Sequence, residues 1–302
     1  MKILILGKGY VGTALARHLN TCYDVTHVSR KELDYTDRVQ LFQYLTSNKA
    51  KETKYVINTC GYTGRPNVDA CEDNINDTWY YNVAVPVNIQ KTCKDAGVKM
   101  IHISSGCIYD GYEKDYTEQD EPNFGLLNPD SSWYSKTKHA CEMMMKDKDV
   151  YLFRIRMPFC ETWSSRNVLT KLIRYDNVID HLNSVTNIED LCGFIMYFIA
   201  DLTEGVQHEY GIYNVVNPCP ITTSAICDLL NSFNLGNPKW KHIELAELYK
   251  STKTQRSNCL LSDSKITKLN LKLPDTIDSL RRCITAMKKT QDAQCTEDKK
   301  SA

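Results

Sequence analysis

The sequence has few of the features that mark nucleic-acid-binding, metal-binding or membrane proteins. Lys plus Arg and Asp plus Glu both number 37, and without a basic run we expect no nucleic-acid partner. No C-x-x-C pair and no Cys/His cluster has the spacing of zinc ligands, so we expect no metal. The longest apolar stretch, Leu191–Ala200, is much shorter than the roughly 20 residues of a membrane-spanning helix, so we expect no membrane span.

The 13 cysteines indicate a compartment rather than a disulfide framework. We expect no secretory signal, since the apolar stretch Met1–Leu6 runs directly into a glycine loop. Free thiols in a cytoplasmic protein are therefore the expectation. A chain of 302 residues exceeds the usual single-domain size, which predicts two lobes or one large α/β unit.

A glycine fingerprint opens the chain. The apolar strand Lys2–Leu6 is followed by GKGYVG, which has G-x-G-x-x-G spacing, and then by a helical apolar pattern over Thr13–Leu19. Such glycines permit a tight turn and let backbone N–H groups approach a pyrophosphate at the positive end of a helix. The alternative is a plain glycine-rich turn. The residues expected to bind a dinucleotide here are Gly7, Gly9, Tyr10, Val11 and Gly12.

The residues after the second predicted strand indicate which dinucleotide binds. Val25–Val28 ends at Ser29, Arg30 and Lys31, where NAD-binding folds commonly place an acidic residue on the ribose. Two cations and a hydroxyl suit a 2′-phosphate better, because Arg can bind it with two parallel hydrogen bonds. We therefore expect NADPH, with Asp34 as a further candidate for the adenosine end or the ribose.

A third buried strand, Tyr55–Thr59, leads to two further groups of candidate residues. Cys60 and Gly61 lie at its tip, where we expect contact with the cofactor. Arg65 and Asn67 follow in a loop marked by glycine and proline, and they are suited to hold a polar substrate. The alternative for this pair is a capped loop that leads into a helix.

The predicted strand Lys99–Ile103 carries the candidate reactive groups at its end. Ser105 and Cys107 follow it, in the crevice where open α/β sheets bind ligands. Tyr134 and Lys138 lie four residues apart, on one face of a later helix. A nearby ammonium would lower the pKa of the phenol and let it exchange a proton with a substrate oxygen. The alternatives are a buried structural cysteine and a solvated helix face.

The order of these elements predicts an α/β fold, a Rossmann-type doubly wound parallel sheet with a smaller C-terminal substrate-binding lobe. A long helix is expected over Asn76–Gly97, a surface excursion over Tyr112–Asp130 and a further strand over Val150–Arg156. The predicted divisions are an NADP-binding domain over residues 1–158, to which segments of about 185–217 return, a substrate-binding lobe over 159–290 and a disordered tail over 291–302.

The glycine loop, Ser105 and Tyr134-x-x-x-Lys138 together resemble the extended short-chain dehydrogenase/reductase family. Longer motifs resemble one branch of it, the bifunctional UDP-4-keto-6-deoxyglucose 3,5-epimerase/4-reductases of UDP-L-rhamnose synthesis. That activity occurs in the C-terminal half of plant rhamnose synthases and in a stand-alone form in giant viruses. The loop GKGYVG differs from the plant form, which has one more residue between its first two glycines. The motifs that carry the resemblance are TGRPNVDACE (63–72), GCIYD (106–110), PNF (122–124), YSKTK (134–138), RIRMP (154–158), RNVLTKLIRY (166–175) and RSN (256–258).

The resemblance implies roles for individual residues. Ser105, Tyr134 and Lys138 match the reductase triad, and Lys138 would also bind the nicotinamide ribose. Cys107 matches the thiol that epimerase-reductases use for proton transfer, and Lys171 matches the lysine of the rhamnose branch. The implied substrate is a UDP-sugar and the implied cofactor is NADPH. The residues expected to contact the substrate are Arg65, Asn67, Ser105, Asn167, Lys171, Arg256 and Asn258.

Related enzymes also suggest a homodimer, formed through the helices at Asn76–Ala96 and Trp133–Lys146. Two other functions stay open at this point. One is a monofunctional dTDP- or UDP-4-keto-rhamnose 4-reductase, in which Cys107 has no chemical role. The other is a non-catalytic nucleotide-sensing regulatory subunit, which would be expected to lack the tyrosine or the lysine of the triad.

Overall fold

The computed structural model describes the backbone of residues 1–301 and the side chains of residues 1–294. The strands are β1 (Lys2–Leu6), β2 (Asp24–Val28), β3 (Thr53–Asn58), β4 (Lys99–Ser105), β5 (Gly111–Tyr116), β6 (Val150–Ile155), β7 (Asn177–Val178), β8 (Leu182–Asn183), β9 (Gly211–Asn214), β10 (Ile221–Thr222), β11 (Lys241–His242) and β12 (Cys259–Leu261). The helices are α1 (Tyr10–Leu19), α2 (Arg38–Thr46), α3 (Ala70–Asp73), α4 (Ile75–Trp79), α5 (Val85–Asp95), α6 (Trp133–Met145), α7 (Val168–Arg174), α8 (Ile188–Glu204), α9 (Thr223–Ser232), α10 (Leu245–Tyr249), α11 (Ser264–Lys268) and α12 (Thr276–Ser301). A 3₁₀ turn covers Asn48–Ala50, and a π-helical turn covers Tyr80–Ala84.

Six strands form one parallel sheet in the order β2-β1-β3-β4-β6-β9. The strand order reverses between β1 and β3, which makes the carboxyl ends of these two strands a topological switch point. Ligands of such sheets bind in the crevice at that point. The predicted α/β fold with a doubly wound parallel sheet is therefore confirmed.

Both faces of the sheet are buried, because side chains alternate along each strand. In β1, Ile3 and Ile5 join the apolar cluster under α1 and α8. Leu4 and Leu6 join the opposite cluster, under α2, α5 and α6. Strands buried on both sides read as continuous apolar runs, which is why the sequence pattern located them.

A separate apolar cluster holds the C-terminal part together, with members from α7, α9 and α12. We propose the division into a cofactor-binding domain and a substrate-binding lobe on this basis. The chain crosses between the two more than once, since α8 packs on the main sheet and β9 adds its last strand.

The predicted surface excursion and the predicted tail both contain regular secondary structure. The expected excursion over 112–130 begins with a strand, β5, which pairs in parallel with β12. Its partner lies more than 140 residues later, so the local pattern could not reveal the pairing. The expected tail is helical, because α12 continues through Ser301 in a stretch without glycine or proline. Ala302 lies outside the described residues. Within the described chain, no helix is both long enough and apolar enough to span a membrane.

A buried ion pair joins the elements that carry the candidate site. Arg154 on β6 is 1% exposed, and it donates three hydrogen bonds of 2.7–3.1 Å to the carboxylate of Glu142 on α6. The same carboxylate accepts a hydrogen bond from Ser104 on β4, and Arg154 also donates to the hydroxyl of Tyr109. Three elements thus share one fully hydrogen-bonded pair of charges.

We expect Glu142→Gln to lower the free energy of unfolding by about 3 kcal/mol or more, because it leaves the Arg154 charge buried without a partner. Equilibrium unfolding in urea measures this change. Glu121→Gln is the matched control, since its carboxylate is 82% exposed and 3.7 Å from Lys146, and we expect a change below about 0.5 kcal/mol. Equal effects of the two substitutions would contradict this account.

Candidate active site

The glycine loop has the geometry of a phosphate cradle. Gly7 has φ +105°, a conformation that side chains disfavour, and a Cβ at Gly12 would overlap the carbonyl oxygen of Gly7. At Gly9 a Cβ would have no atom within 4 Å, so this residue faces open space. Tyr10 and Val11 form the first turn of α1, whose Gly9 N-cap offers no side-chain acceptor. Its first N–H groups therefore remain for a ligand.

A cavity of about 380 Å³ opens beside this loop, between the start of α1 and residues 160–164. Gly9, Tyr10 and Trp163 are among its lining residues. The buried indole N–H of Trp163 has no hydrogen-bond partner, which leaves a donor for a ligand. The loop and the cavity together fit a dinucleotide cofactor.

The end of β2 contains a residue that the sequence analysis missed. The carboxylate of Glu32 accepts 2.8 Å hydrogen bonds from the backbone N–H and the hydroxyl of Ser29, and it pairs with Lys8 of the glycine loop at 2.6 Å. These bonds hold the pKa of Glu32 at about 2. Arg30 lies over the ring of Tyr81, 4.3 Å from its centroid. Asp34 accepts from the backbone N–H and the hydroxyl of Thr36, and its predicted cofactor contact stays a prediction.

The tip of β4 brings Ser105, Cys107 and Tyr134 together. The backbone N–H of Cys107 donates to the Ser105 hydroxyl at 3.2 Å. The Ser105 hydroxyl and the Cys107 thiol are both close enough to the phenol of Tyr134 to affect its pKa, which Ser105 lowers and Cys107 raises. The hydroxyl, thiol and phenol therefore face one space.

The expectation that Lys138 lowers the pKa of Tyr134 was wrong. Burial raises the pKa of Tyr134, with the negative charge of a Cys107 thiolate acting in the same direction, and only the hydrogen bond from Ser105 opposes them strongly. The ammonium of Lys138 lies 5.9 Å from the ring centroid, and burial lowers the pKa of Lys138 itself. Tyr134 is therefore a protonated phenol at neutral pH, the form that can donate a proton.

Lys138 also borders the predicted cofactor loop. A Cβ at Gly61 would lie 3.6 Å from its ammonium and 3.2 Å from the side-chain oxygen of Asn82. Asn82 sits in the π-helical turn and binds both backbone groups of Tyr62, as well as the hydroxyl of Thr137. The predicted neighbours Cys60 and Gly61 thus meet the lysine at the switch point.

Lys171 on α7 reaches the same space from the C-terminal lobe. Burial lowers its pKa, Arg166 and Arg256 lower it further, and Cys107 acts in the opposite direction. The charge of Arg65 lowers the pKa of Arg166, so positive charge accumulates on this side of the cleft. Arg256 forms an ion pair of 2.9 Å with Asp69, and Asn67 accepts from the backbone N–H of Asp69.

Two residues predicted to contact the substrate form hydrogen bonds within the protein in this structure, and their contact with substrate stays a prediction. Asn167 is fully buried: its oxygen accepts from the N–H of Leu169 and its amide group donates to the carbonyls of Cys160 and Thr162. Its role is to cap α7 and so to position Lys171. Asn258 is 6% exposed, and its side-chain oxygen accepts from Asn183. Both side chains are occupied by the protein.

Arg156, directly after β6, is a second residue that the sequence analysis missed. Its guanidinium is 1% exposed and donates to Cys107 Sγ at 3.6 Å. It also donates to the side-chain oxygen of Asn183 and to the hydroxyl and carbonyl of Ser257. The available signal was an arginine at the end of the predicted strand Val150–Arg156, since arginine is seldom buried without a specific partner.

Comparison with known proteins places this geometry in a family. A sequence model of the RmlD substrate binding domain matches residues 1–289. The chain belongs to this family. Proteins similar to this chain include dTDP-4-dehydrorhamnose reductases, and reductases of this family bind NADPH.

Two of the relatives similar to this chain come from Arabidopsis thaliana. The trifunctional UDP-glucose 4,6-dehydratase/UDP-4-keto-6-deoxy-D-glucose 3,5-epimerase/UDP-4-keto-L-rhamnose-reductase RHM1 is 31% identical over 278 residues, 89% of this chain. This RmlD-family chain spans only 39% of that protein's length. The bifunctional dTDP-4-dehydrorhamnose 3,5-epimerase/dTDP-4-dehydrorhamnose reductase is 30% identical over 90% of this chain and 87% of its own length.

Among solved structures, the L780 UDP-rhamnose synthase of Acanthamoeba polyphaga mimivirus superposes with a TM-score of 0.83. The two sequences are 24% identical, and the superposition covers 95% of this chain and 99% of that one. This likeness establishes the shared fold.

We expect Glu32→Gln to increase the preference for NADPH over NADH by about fivefold, because it removes a negative charge from donors suited to the 2′-phosphate. Binding titrations with each dinucleotide measure the ratio of the two Kd values. Glu113→Gln on β5 removes an exposed carboxylate elsewhere, and it should leave the ratio unchanged. A shift toward NADH in Glu32→Gln would contradict the assignment.

Proposed function

We propose that this protein converts UDP-4-keto-6-deoxyglucose to UDP-L-rhamnose, by 3,5-epimerisation followed by NADPH-dependent reduction at C4. The observation that carries the proposal is the convergence of two acid–base groups, Cys107 and Lys171, beside the Ser105–Tyr134 pair. A reductase alone needs only the phenol and its neighbours. The Arabidopsis epimerase/reductase, similar over nearly its whole length, supports the same combination.

Epimerisation uses the C4 ketone of the substrate, which acidifies the C–H bonds at C3 and C5. The Cys107 thiolate takes a proton from one face, and the resulting enolate carries its charge on O4. The Lys171 ammonium returns a proton to the opposite face, which inverts the centre. Burial and the nearby Arg166 lower the pKa of Lys171, and this makes its ammonium a better acid.

Reduction uses the groups on the opposite side of the ketone. Ser105 donates a hydrogen bond to O4, and Tyr134 gives O4 its proton. The raised pKa of Tyr134 keeps the phenol protonated until charge develops on O4. NADPH supplies the hydride when it is bound. Lys138, beside Gly61, would hold the nicotinamide ribose.

Substrate binding depends on the cationic side of the cleft. Arg65 and Arg166 repel each other, and an anion between them relieves that repulsion. We assign the diphosphate of the UDP-sugar to these two side chains, with Asn67 and Arg256 beside them. Asp69 holds Arg256 in place through their ion pair.

Cys107→Ala should abolish deuterium uptake from D₂O at C3 and C5 while leaving reduction of the pre-epimerised ketone. Tyr134→Phe should lower hydride transfer by a factor of about 10² to 10⁴ while leaving deuterium uptake. Product NMR measures the first activity and NADPH oxidation the second. Cys22→Ala, at an exposed thiol, should change neither.

Each outcome discriminates between functions. Deuterium uptake that persists in Cys107→Ala would make the protein a monofunctional 4-reductase, with a separate epimerase elsewhere. Loss of both activities in Cys107→Ala would contradict the division between thiol and phenol. An unchanged rate of reduction in Tyr134→Phe would remove the phenol from the reaction.

We also propose that the protein is a homodimer. Exposed apolar side chains lie on or directly beside the two predicted dimer helices: Ile75, one residue before the first helix, Trp79 within it, and Met143 and Met144 on α6. Such side chains are commonly covered in an interface. Sedimentation equilibrium should give twice the chain mass, and the double substitution Ile75→Asp/Met143→Asp should give a monomer. A monomeric wild-type protein would contradict the proposal.

A further inference from the structure

Arg156 carries a charge that the fold has removed from water. A guanidinium does not lose its proton in proteins, so at 1% exposure Arg156 remains a buried cation. A buried charge is costly unless a counter-charge and hydrogen bonds compensate it. Arg154, two residues earlier, meets this requirement through Glu142. The question is which group meets it for Arg156.

The oxygen atoms bound to Arg156 are all neutral. They are the side-chain oxygen of Asn183 and the hydroxyl and carbonyl of Ser257. Among the described side chains, no carboxylate forms an ion pair with Arg156. Asp110 raises the pKa of Arg156 through space and forms no hydrogen bond with it. The side-chain oxygen of Asp110 instead accepts a hydrogen bond from the backbone N–H of Asn258. Tyr112, a further neighbour, is a phenol.

Two thiols remain as candidates, Cys259 and Cys107. Cys259 is fully buried, and burial raises the pKa of its thiol to about 11, so it is neutral at physiological pH. Cys107 is half-buried at the mouth of the site and accepts a hydrogen bond from Arg156 Nη1 at 3.6 Å. Its other charged or titratable neighbours are Tyr134 and Lys138 from α6, and Lys171 from α7.

We propose that Cys107 is the counter-ion of Arg156, and that Arg156 holds it as a thiolate at neutral pH. Arg156 is then a positioning residue for proton abstraction, which it serves through the sulfur and not through the substrate. This assignment rests on the proposed function only in saying that the thiolate abstracts a proton from the substrate. The charge pairing itself follows from burial and hydrogen bonding.

The pairing also connects the thiolate to the C-terminal lobe. Asn183 and Ser257 hold the guanidinium against the sulfur, and Asn258 fixes Asn183 from behind. This is the role that the structure assigns to Asn258. Three residues from later in the sequence therefore orient one ion pair.

The pH dependence of Cys107 alkylation by iodoacetamide tests the proposal, with neither substrate nor NADPH present. Mass spectrometry of the peptide that contains Cys107 separates it from the other thiols. In the wild-type protein we expect a midpoint well below the ordinary thiol pKa of about 8.5. Exposed Cys22 in the same sample is the internal control.

Arg156→Met should raise the Cys107 midpoint by about 1 to 3 pH units, and Arg156→Lys should fall between this variant and the wild type. Lys171→Met should shift the Cys107 midpoint by less than Arg156→Met does. A wild-type midpoint at or above about 8.5 overturns the proposal, even if Arg156→Met does not fold. An equal shift in Lys171→Met also overturns it, because Lys171 would then be the counter-ion.

Deuterium uptake separates this proposal from the proposed function. A low midpoint that depends on Arg156, without deuterium uptake into the keto sugar, supports the ion pair and contradicts epimerisation. Deuterium uptake together with an ordinary alkylation midpoint supports epimerisation and contradicts the ion pair. With both in place, the acidic limb of the pH profile for uptake should move to higher pH in Arg156→Lys. An unmoved limb would show that Arg156 has only a structural role.

Discussion

The ion pair between Arg154 and Glu142 is the constraint on which the site geometry depends. It fixes β6 to α6 in the interior, and Ser104 adds β4 to the same carboxylate. These are the three elements whose next residues supply the chemistry: Ser105 at the end of β4, Tyr134 and Lys138 on α6, and Arg156 after β6. Because the pair has no access to water, it tolerates little displacement of any partner.

Arg154 and Arg156 show how the same residue type serves two purposes on one strand. Arg154 forms an ion pair with a carboxylate inside the sheet domain, so its charge stabilises the fold and is not available to the site. Arg156 meets neutral oxygens from the C-terminal lobe and a sulfur that faces the cleft. The difference lies in what the surrounding fold presents to each guanidinium, and it leaves the charge of the second available to a reactive group.

The parts of the fold that sequence could predict are those encoded by neighbouring residues. The glycine loop, the apolar strands and the placement of Ser105 at a strand end depend on local spacing and alternation, and the structure has them at the predicted places. Long-range partners were beyond reach. Glu32 was missed because Lys8, its ion-pair partner, is 24 residues away, and β5 was missed because β12 is its partner.

Polar residues were the least predictable part of the site. Asn167 and Asn258 have the chemistry of ligand-binding residues, but both are buried and bonded to the protein. The ionisation of Tyr134 was also mispredicted, because its proximity to Lys138 in sequence says nothing about burial. Residue type and spacing indicate that a group can do chemistry, while desolvation and competing partners decide its state.

The segment that contains Ser257, Asn258 and β12 has two attachments, to β5 beside the reactive loop and to the guanidinium behind the sulfur. Under the proposed function, substrate recognition and reactivity are therefore not independent of each other in this architecture. Exchange of the C-terminal lobe between relatives, as a way to change the sugar accepted, would also reset the acidity of the thiol. A change of specificity by this route has to transfer β12 together with Ser257 and Asn258, or redesign the strand and these residues at once.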